Sequence, residues 1–137
     1  MDRDEFELLV ARAVEGLPDE FHSRLENVAI LVEDSPSQRQ LTKTGLGQGR
    51  TLLGLYEGVP LTRRGVHYGM VPPDKITIFQ KPIEAKCETG DSIVREIQRV
   101  VRHEIAHHFG IGEAKLRQIE KGHRIRDGAD KKRDSEV

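Results

Sequence analysis

The chain has 137 residues, of which 36% are hydrophobic and 33% are charged, and this length suits one domain with a modest core. The 23 acidic and 22 basic side chains leave a formal net charge of −1, which argues against the basic surface of a nucleic-acid-binding protein. No apolar run approaches the roughly 20 residues that cross a bilayer. Neither a nucleic-acid partner nor a membrane is therefore expected.

The sequence favours a cytoplasmic location. The acidic N-terminus, MDRDEFELLV, lacks the basic and then apolar order of a signal peptide. A single cysteine, Cys87, excludes an internal disulfide framework and suits a reducing compartment. The oligomeric state is left open.

The first residues predict two helices. Phe6, Val10 and other apolar residues recur at helical spacing, and Gly16 marks the end of the first helix. A short second helix is expected to begin at Pro18, with Phe21 facing inward.

Four segments in the middle of the chain predict strands. VAILVED, TLLGLYEG and DKITIFQKPI are apolar or β-branched runs, and the first of them is predicted to be buried. VPLTRRGVHYGMVPP has proline and glycine at both ends, which favours an edge strand. Residues 35–50 contain three glycines and no apolar periodicity, and they are interpreted as a long loop.

A long helix is predicted over DSIVREIQRVVRHEIAHHFG, with Asp91 as its N-cap and Gly110 as its end. Its apolar stripe consists of Val94, Ile97, Val101 and Ile105. EAKLRQIEKG predicts a shorter helix after the turn. The domain is expected to cover residues 1–122, and the charged residues 123–137 are expected to form a disordered tail.

The long helix carries the segment RHEIAHHFGIGE, in which His103 and His107 are four residues apart. Such residues lie on the same helix face, so both imidazoles can bind one ion at about 2 Å. Glu104 lies about 100° further round the helix, where its carboxylate reaches a metal-bound water. This is the H-E-x-x-H arrangement of two zinc ligands and a general base that takes a proton from the water.

A catalytic zinc usually keeps three protein ligands and one open position. Gly110 allows the helix to end and the chain to turn back, and Glu113 follows three residues later. The spacing H-E-x-x-H-x-x-G-x-x-E therefore predicts one zinc ion held by His103, His107 and Glu113. The alternative third ligand is Glu120, which lies 13 residues beyond His107.

This motif resembles that of the zincin metallopeptidases, and its spacing is similar to the metzincin motif with the final histidine replaced by a carboxylate. The segments LENVAILVED, LLGLYEGVPLT, PDKITIFQKPIEA and VRHEIAHHFGI follow one another in this order. With them the chain resembles, over residues 5–121, the small bacterial minimal zincin family. Members of that family often carry aspartate at the position of Glu113. No methionine follows Met70, so the methionine turn of metzincins is absent.

The resemblance implies an α+β, minimal zincin-like fold, with a small mixed β-sheet packed on an N-terminal helix and the H-E-x-x-H helix. It also implies an edge strand above the cleft, along which a peptide or protein substrate binds by β-augmentation. PLTRRGVHYG is the candidate for this strand. Its His67 and Tyr68 are either substrate-binding groups or ordinary strand residues.

Three functions follow from these observations. The first is a zinc-dependent metallopeptidase-like hydrolase with Glu104 as general base. The second is a metal- or peptide-binding module of zincin shape with little turnover. The third, a metal-dependent endoribonuclease, is disfavoured by Glu104 and by the net charge. His108, about 140° from His103 on the helix, is expected to be a packed or hydrogen-bonded side chain.

Overall fold

The computed structural model describes residues 1–44, 52–58, 73–112 and 114–121. Within them the chain has the predicted α+β fold, with six helices and a small mixed sheet. The helices are α1 (Arg3–Glu15), α2 (Asp19–Arg24), α3 (Gln38–Lys43), α4 (Gln80–Lys86), α5 (Gly90–Phe109) and α6 (114–121). The strands are β1 (Val28–Glu33), β2 (Gly54–Glu57) and β3 (Asp74–Phe79).

The sheet has the order β1-β3-β2, with β1 parallel and β2 antiparallel to the central strand β3. Phe79 donates its backbone N–H to the Leu53 carbonyl at 3.0 Å. Because backbone groups alternate in direction along a strand, Gly54 and Tyr56 direct their N–H and C=O groups away from β3. Among the described strands, β2 therefore lies at an edge of the sheet.

The core forms where α1 and α5 pack against each other and against the sheet. Phe6, Ala13 and Ile97 are each fully buried. The apolar stripe predicted for α5 is confirmed by the burial of Val94, Ile97, Val101 and Ile105. Burying apolar side chains in this way supplies about 25 cal/mol per Å² of area removed from water. This packing fixes the position of α5 relative to β2 and β3.

The predicted end of α5 is confirmed, but the predicted N-cap is wrong. Gly110 has the left-handed φ of 68° that lets the helix stop. The N-cap is Thr89, whose hydroxyl accepts from Ser92 N–H at 3.1 Å, while the Ser92 hydroxyl accepts from Thr89 N–H at 3.0 Å. This capping box satisfies two otherwise unpaired backbone donors. Asp91 lies in the first turn of the helix instead and forms a 3.2 Å ion pair with Arg12.

Three further sequence expectations differ from the structure. Residues 35–50 are not all loop, because α3 forms within them, with Ser37 and Gln40 making a capping box. The predicted strand DKITIFQKPI ends at Phe79, and α4 follows; Pro82 fits this helix because a proline in the first turn removes no needed donor. β1 is an edge strand rather than a buried one, with Leu31 43% exposed.

Two predicted segments lie outside the described residues. These are the proposed edge strand at 60–69 and the charged tail at 123–137. No helix in the described ranges is both long and apolar enough to span a membrane.

Candidate active site

The C-terminal half of α5 carries the three residues of the motif. α5 is a continuous 20-residue helix, so His103 and His107 lie one turn apart on the same face. His103 is half-buried and His107 is exposed. Two imidazoles presented by one rigid helix suit a zinc ion, which is the geometry that the spacing predicts. Ligation itself stays a prediction.

Glu104 is held against the edge strand β2. Its Oε1 accepts a hydrogen bond of 2.9 Å from the backbone N–H of Tyr56. Burial raises the pKa of Glu104, whereas the hydrogen bond from Tyr56 and the nearby imidazoles of His107 and His103 act in the opposite direction. A half-buried carboxylate with a raised pKa beside two histidines has the character of a general base.

The close approach of β2 to α5 depends on Gly54. A Cβ atom at this position would lie 2.5 Å from Val100 Cγ1 and 3.2 Å from the Thr77 carbonyl oxygen. Only glycine lets the strand backbone pack directly on the helix here. The outward N–H of Tyr56, two residues further along β2, is thereby brought to the Glu104 carboxylate one turn along α5.

Beside Glu104, the side chain of Tyr56 joins a cluster of polar and aromatic groups. Its hydroxyl donates to Asp74 Oδ2 at 2.7 Å, and its ring stacks on His108 with centroids 3.9 Å apart. His108 Nε2 lies 3.9 Å from the same Asp74 oxygen, and Phe109 packs edge-on against both rings. His108 is thus a packed side chain beside the motif, as expected.

Sequence reasoning missed Tyr56 and Asp74. They lie in different strands, and Tyr56 contacts Glu104 across 48 residues and Asp74 across 18. No local pattern encodes contacts at such separations. The one available signal is the position of Glu104 on the helix, which predicts that a hydrogen-bond donor from another element lies against its carboxylate.

Among the described residues, no third ligand accompanies the two histidines. Glu113, His67 and Tyr68 lie outside the described residues. Glu120, the alternative ligand, accepts a 2.7 Å hydrogen bond from Arg102 Nε. In the part of the chain that is described, no three histidine, cysteine, aspartate or glutamate side chains are placed to hold a metal ion.

Comparison with known proteins identifies the family. Residues 25–123 match the family model for zincin-like metallopeptidases. Among solved structures, a conserved hypothetical protein from Thermo thermophilus has a similar fold, with a TM-score of 0.50 and 22% identity. The similarity covers 80% of this chain and 94% of that protein. No curated protein matches. The family match covers more than half of the sequence and includes β1, β2, β3 and the whole of α5, and the chain therefore belongs to the zincin-like metallopeptidase family.

Proposed function

We propose that this protein is a zinc-dependent peptidase in which Glu104 is the general base and His103, His107 and Glu113 hold one zinc ion. The observation that carries the proposal is the position of Glu104. Its carboxylate lies next to two imidazoles on α5 and accepts a hydrogen bond from Tyr56 N–H on the outer side of β2. The proposed base, two of the three proposed ligands and the strand proposed to bind substrate thus lie within one short region.

The donor set fits zinc. Neutral imidazole and carboxylate groups are common ligands of catalytic zinc, and the family is one of metallopeptidases. When bound, zinc would act as a Lewis acid that lowers the pKa of water to about 7. Two observations support Glu113 over Glu120 as the third ligand: Gly110 ends α5 in a left-handed turn just before it, and Glu120 is paired with Arg102.

The edge of β2 provides the backbone groups that an extended peptide needs. Gly54 and Tyr56 direct their N–H and C=O groups away from β3, so a substrate pairs with them as an added strand. A substrate carbonyl that accepts from Tyr56 N–H replaces the Glu104 carboxylate there. Substrate binding thus releases Glu104 at the place where a base is required.

Glu104 then performs the proton transfers. Its carboxylate accepts a proton from the water whose oxygen attacks the scissile carbonyl, and it delivers this proton to the departing amine nitrogen. The C–N bond breaks, and the products are a carboxylate and an amine. Burial raises the pKa of Glu104, and a carboxylate with a higher pKa is a stronger base towards this water.

The test is cleavage of a peptide library by the zinc-loaded protein, followed by mass spectrometry. Glu104→Gln is expected to lower kcat by about 10²- to 10⁴-fold, the usual contribution of a general base, without loss of zinc. His107→Ala is expected to lose the zinc as well. Glu120→Gln is the matched control and is expected to keep both. Absence of cleavage by the native, zinc-loaded protein would overturn the proposal.

A second candidate is a peptide-binding module with little turnover. The same edge of β2 supports it, since a peptide can pair with the backbone of Gly54 and Tyr56 without being hydrolysed. Isothermal calorimetry separates the two functions. A module binds peptides equally before and after Glu104→Gln and cleaves them in neither case.

A further inference from the structure

A groove lies between α1 and β1, at the edge of the sheet opposite β2. Its volume is about 680 Å³. None of the motif residues of α5 lines it. Most of its lining is apolar: Val10, Ala11 and Val14 from α1, and Ile30, Leu31 and Val32 from β1.

The backbone of β1 is open along this groove. Asp74 donates its N–H to the Asn27 carbonyl at 3.2 Å, and the alternation of backbone groups then directs those of Ile30 and Val32 away from β3. Arg3 Nη1 donates to the Val32 carbonyl at 2.9 Å, so this carbonyl, near the C-terminal end of β1, is already bound. Within the described ranges, the N–H and C=O of Ile30 have no hydrogen-bond partner. A strand added here would supply them.

The groove is also acidic. Glu7 and Glu15 from α1 and Glu33 from β1 line it, and all three are exposed. Across the described residues, none of the three forms an ion pair. Three carboxylates around an apolar floor attract a partner that is both apolar and basic.

We propose that this groove binds an extended segment of a partner protein in which basic and apolar residues alternate. Alternate side chains of a strand point to opposite faces of a sheet. The apolar side chains of the bound segment would lie on the same face as Ile30 and Val32 and would cover α1. The basic side chains would lie on the other face, beside Glu33. Backbone pairing with Ile30 fixes the register, and the carboxylates select the charge.

Charge complementarity also decides against a second copy of the chain. The groove is lined by Glu7, Glu15 and Glu33 and by no basic residue, so the same groove of a second copy offers carboxylates and no cation. Like charges juxtaposed across an interface are unfavourable. The binding is independent of zinc and of Glu104, so it stands or falls separately from the peptidase proposal.

The test uses the full chain and an acetylated, amidated seven-residue peptide in which lysine and valine alternate. Two-dimensional NMR of the ¹⁵N-labelled protein is expected to show shifts concentrated in the amides of β1 and α1, with those of Tyr56 and α5 unchanged. A peptide with glutamate in place of lysine is expected to bind about tenfold more weakly or worse. A lysine–valine peptide in which every backbone nitrogen is N-methylated is expected to lose binding, because it has no N–H to donate to the Ile30 carbonyl.

The double variant Glu7→Gln, Glu33→Gln is expected to bind the lysine peptide about tenfold more weakly. Glu26→Gln, Glu88→Gln is the charge-matched control, since both residues are exposed and neither lines the groove; it is expected to bind normally. The proposal is overturned by shifts at β2 instead of β1, by equal binding of the lysine and glutamate peptides, by no binding at all, or by a native protein that sediments as a dimer.

Discussion

The two edges of the sheet differ in what meets their outward backbone groups. At β2, the N–H of Tyr56 is bound by the carboxylate of Glu104 at 2.9 Å, and α5 packs directly on the strand at Gly54. At β1, the corresponding groups of Ile30 face an acidic, apolar groove. Both edges are suited to pair with an extended chain. Of the two described edges, only β2 also has the Glu104 carboxylate and two imidazoles beside it, so chemistry is expected there and binding alone at β1.

Amide exchange provides the largest expected contrast between the edges. The Tyr56 N–H is expected to be protected and the Ile30 N–H to exchange much faster. A hydrogen bond to a charged acceptor is worth about 1.5–3 kcal/mol, so Glu104→Ala should speed exchange at Tyr56 by about ten- to hundredfold. Glu120→Ala is the control and should leave Tyr56 unchanged. Equal protection of Tyr56 and Ile30 in the native protein would remove the distinction between the edges.

The close contact between β2 and α5 gives the next prediction. Gly54→Ala places a methyl group 2.5 Å from Val100 Cγ1, and overpacking of this kind costs about 1–3 kcal/mol of the free energy of unfolding. The measurement is urea unfolding. Val100→Ala in the same chain should restore part of the loss, because it removes the clashing atom. Gly112→Ala is the control, since a Cβ there meets nothing within 4 Å, and an equal loss in that variant would contradict this explanation.

The cluster around Tyr56 sharpens the comparison further. Tyr56→Phe keeps the ring that stacks on His108 but removes the 2.7 Å hydrogen bond to Asp74. The expected loss of unfolding free energy is about 0.5–1.5 kcal/mol, the usual net value of one hydrogen bond. Tyr56→Leu, which also removes the stacked ring, should cost more. If the two variants unfold at the same urea concentration, the stacking on His108 contributes nothing measurable.

The smallest effect is expected at Glu96, on α5 but away from both edges. Burial raises the pKa of Glu96, but Arg99 and Lys86 together hold it below its ordinary value. A carboxyl whose pKa is lowered by folding stabilises the protein above the pKa of the unfolded chain, and this contribution is lost as the pH falls through the folded value. Glu96→Gln should therefore reduce stability slightly at neutral pH and flatten its decline below about pH 4.5. An unchanged pH profile would contradict this assignment.

The sequence predicted the parts of the fold that depend on local pattern. The stripe of α5 and the stop at Gly110 follow from periodicity and from the freedom of glycine, and both are confirmed. The short helices α3 and α4 were missed because six or seven residues carry too little periodicity to distinguish a helix from a loop or a strand. The capping box of Ser37 and Gln40 was the local signal for α3.

In the candidate site, too, the residues set by local pattern were predicted and those set by tertiary contacts were not. His103, Glu104 and His107 were predicted because four-residue spacing on one helix needs no tertiary information. Tyr56 and Asp74 were missed because β2 and β3 bring them to α5 only after the whole domain has folded. The relation of Gly54 to Val100 belongs to the same class, since a glycine in a strand does not reveal which helix packs on it.

X-ray absorption spectroscopy at the zinc edge, on the native protein loaded with one equivalent of zinc, tests the central claim most directly. We expect two imidazole nitrogens at about 2.0–2.1 Å with oxygen as the only other donor, and loss of the bound zinc after His103→Ala, as after His107→Ala. A first shell that contains sulfur, or one with fewer than two imidazoles in the native protein, would contradict it.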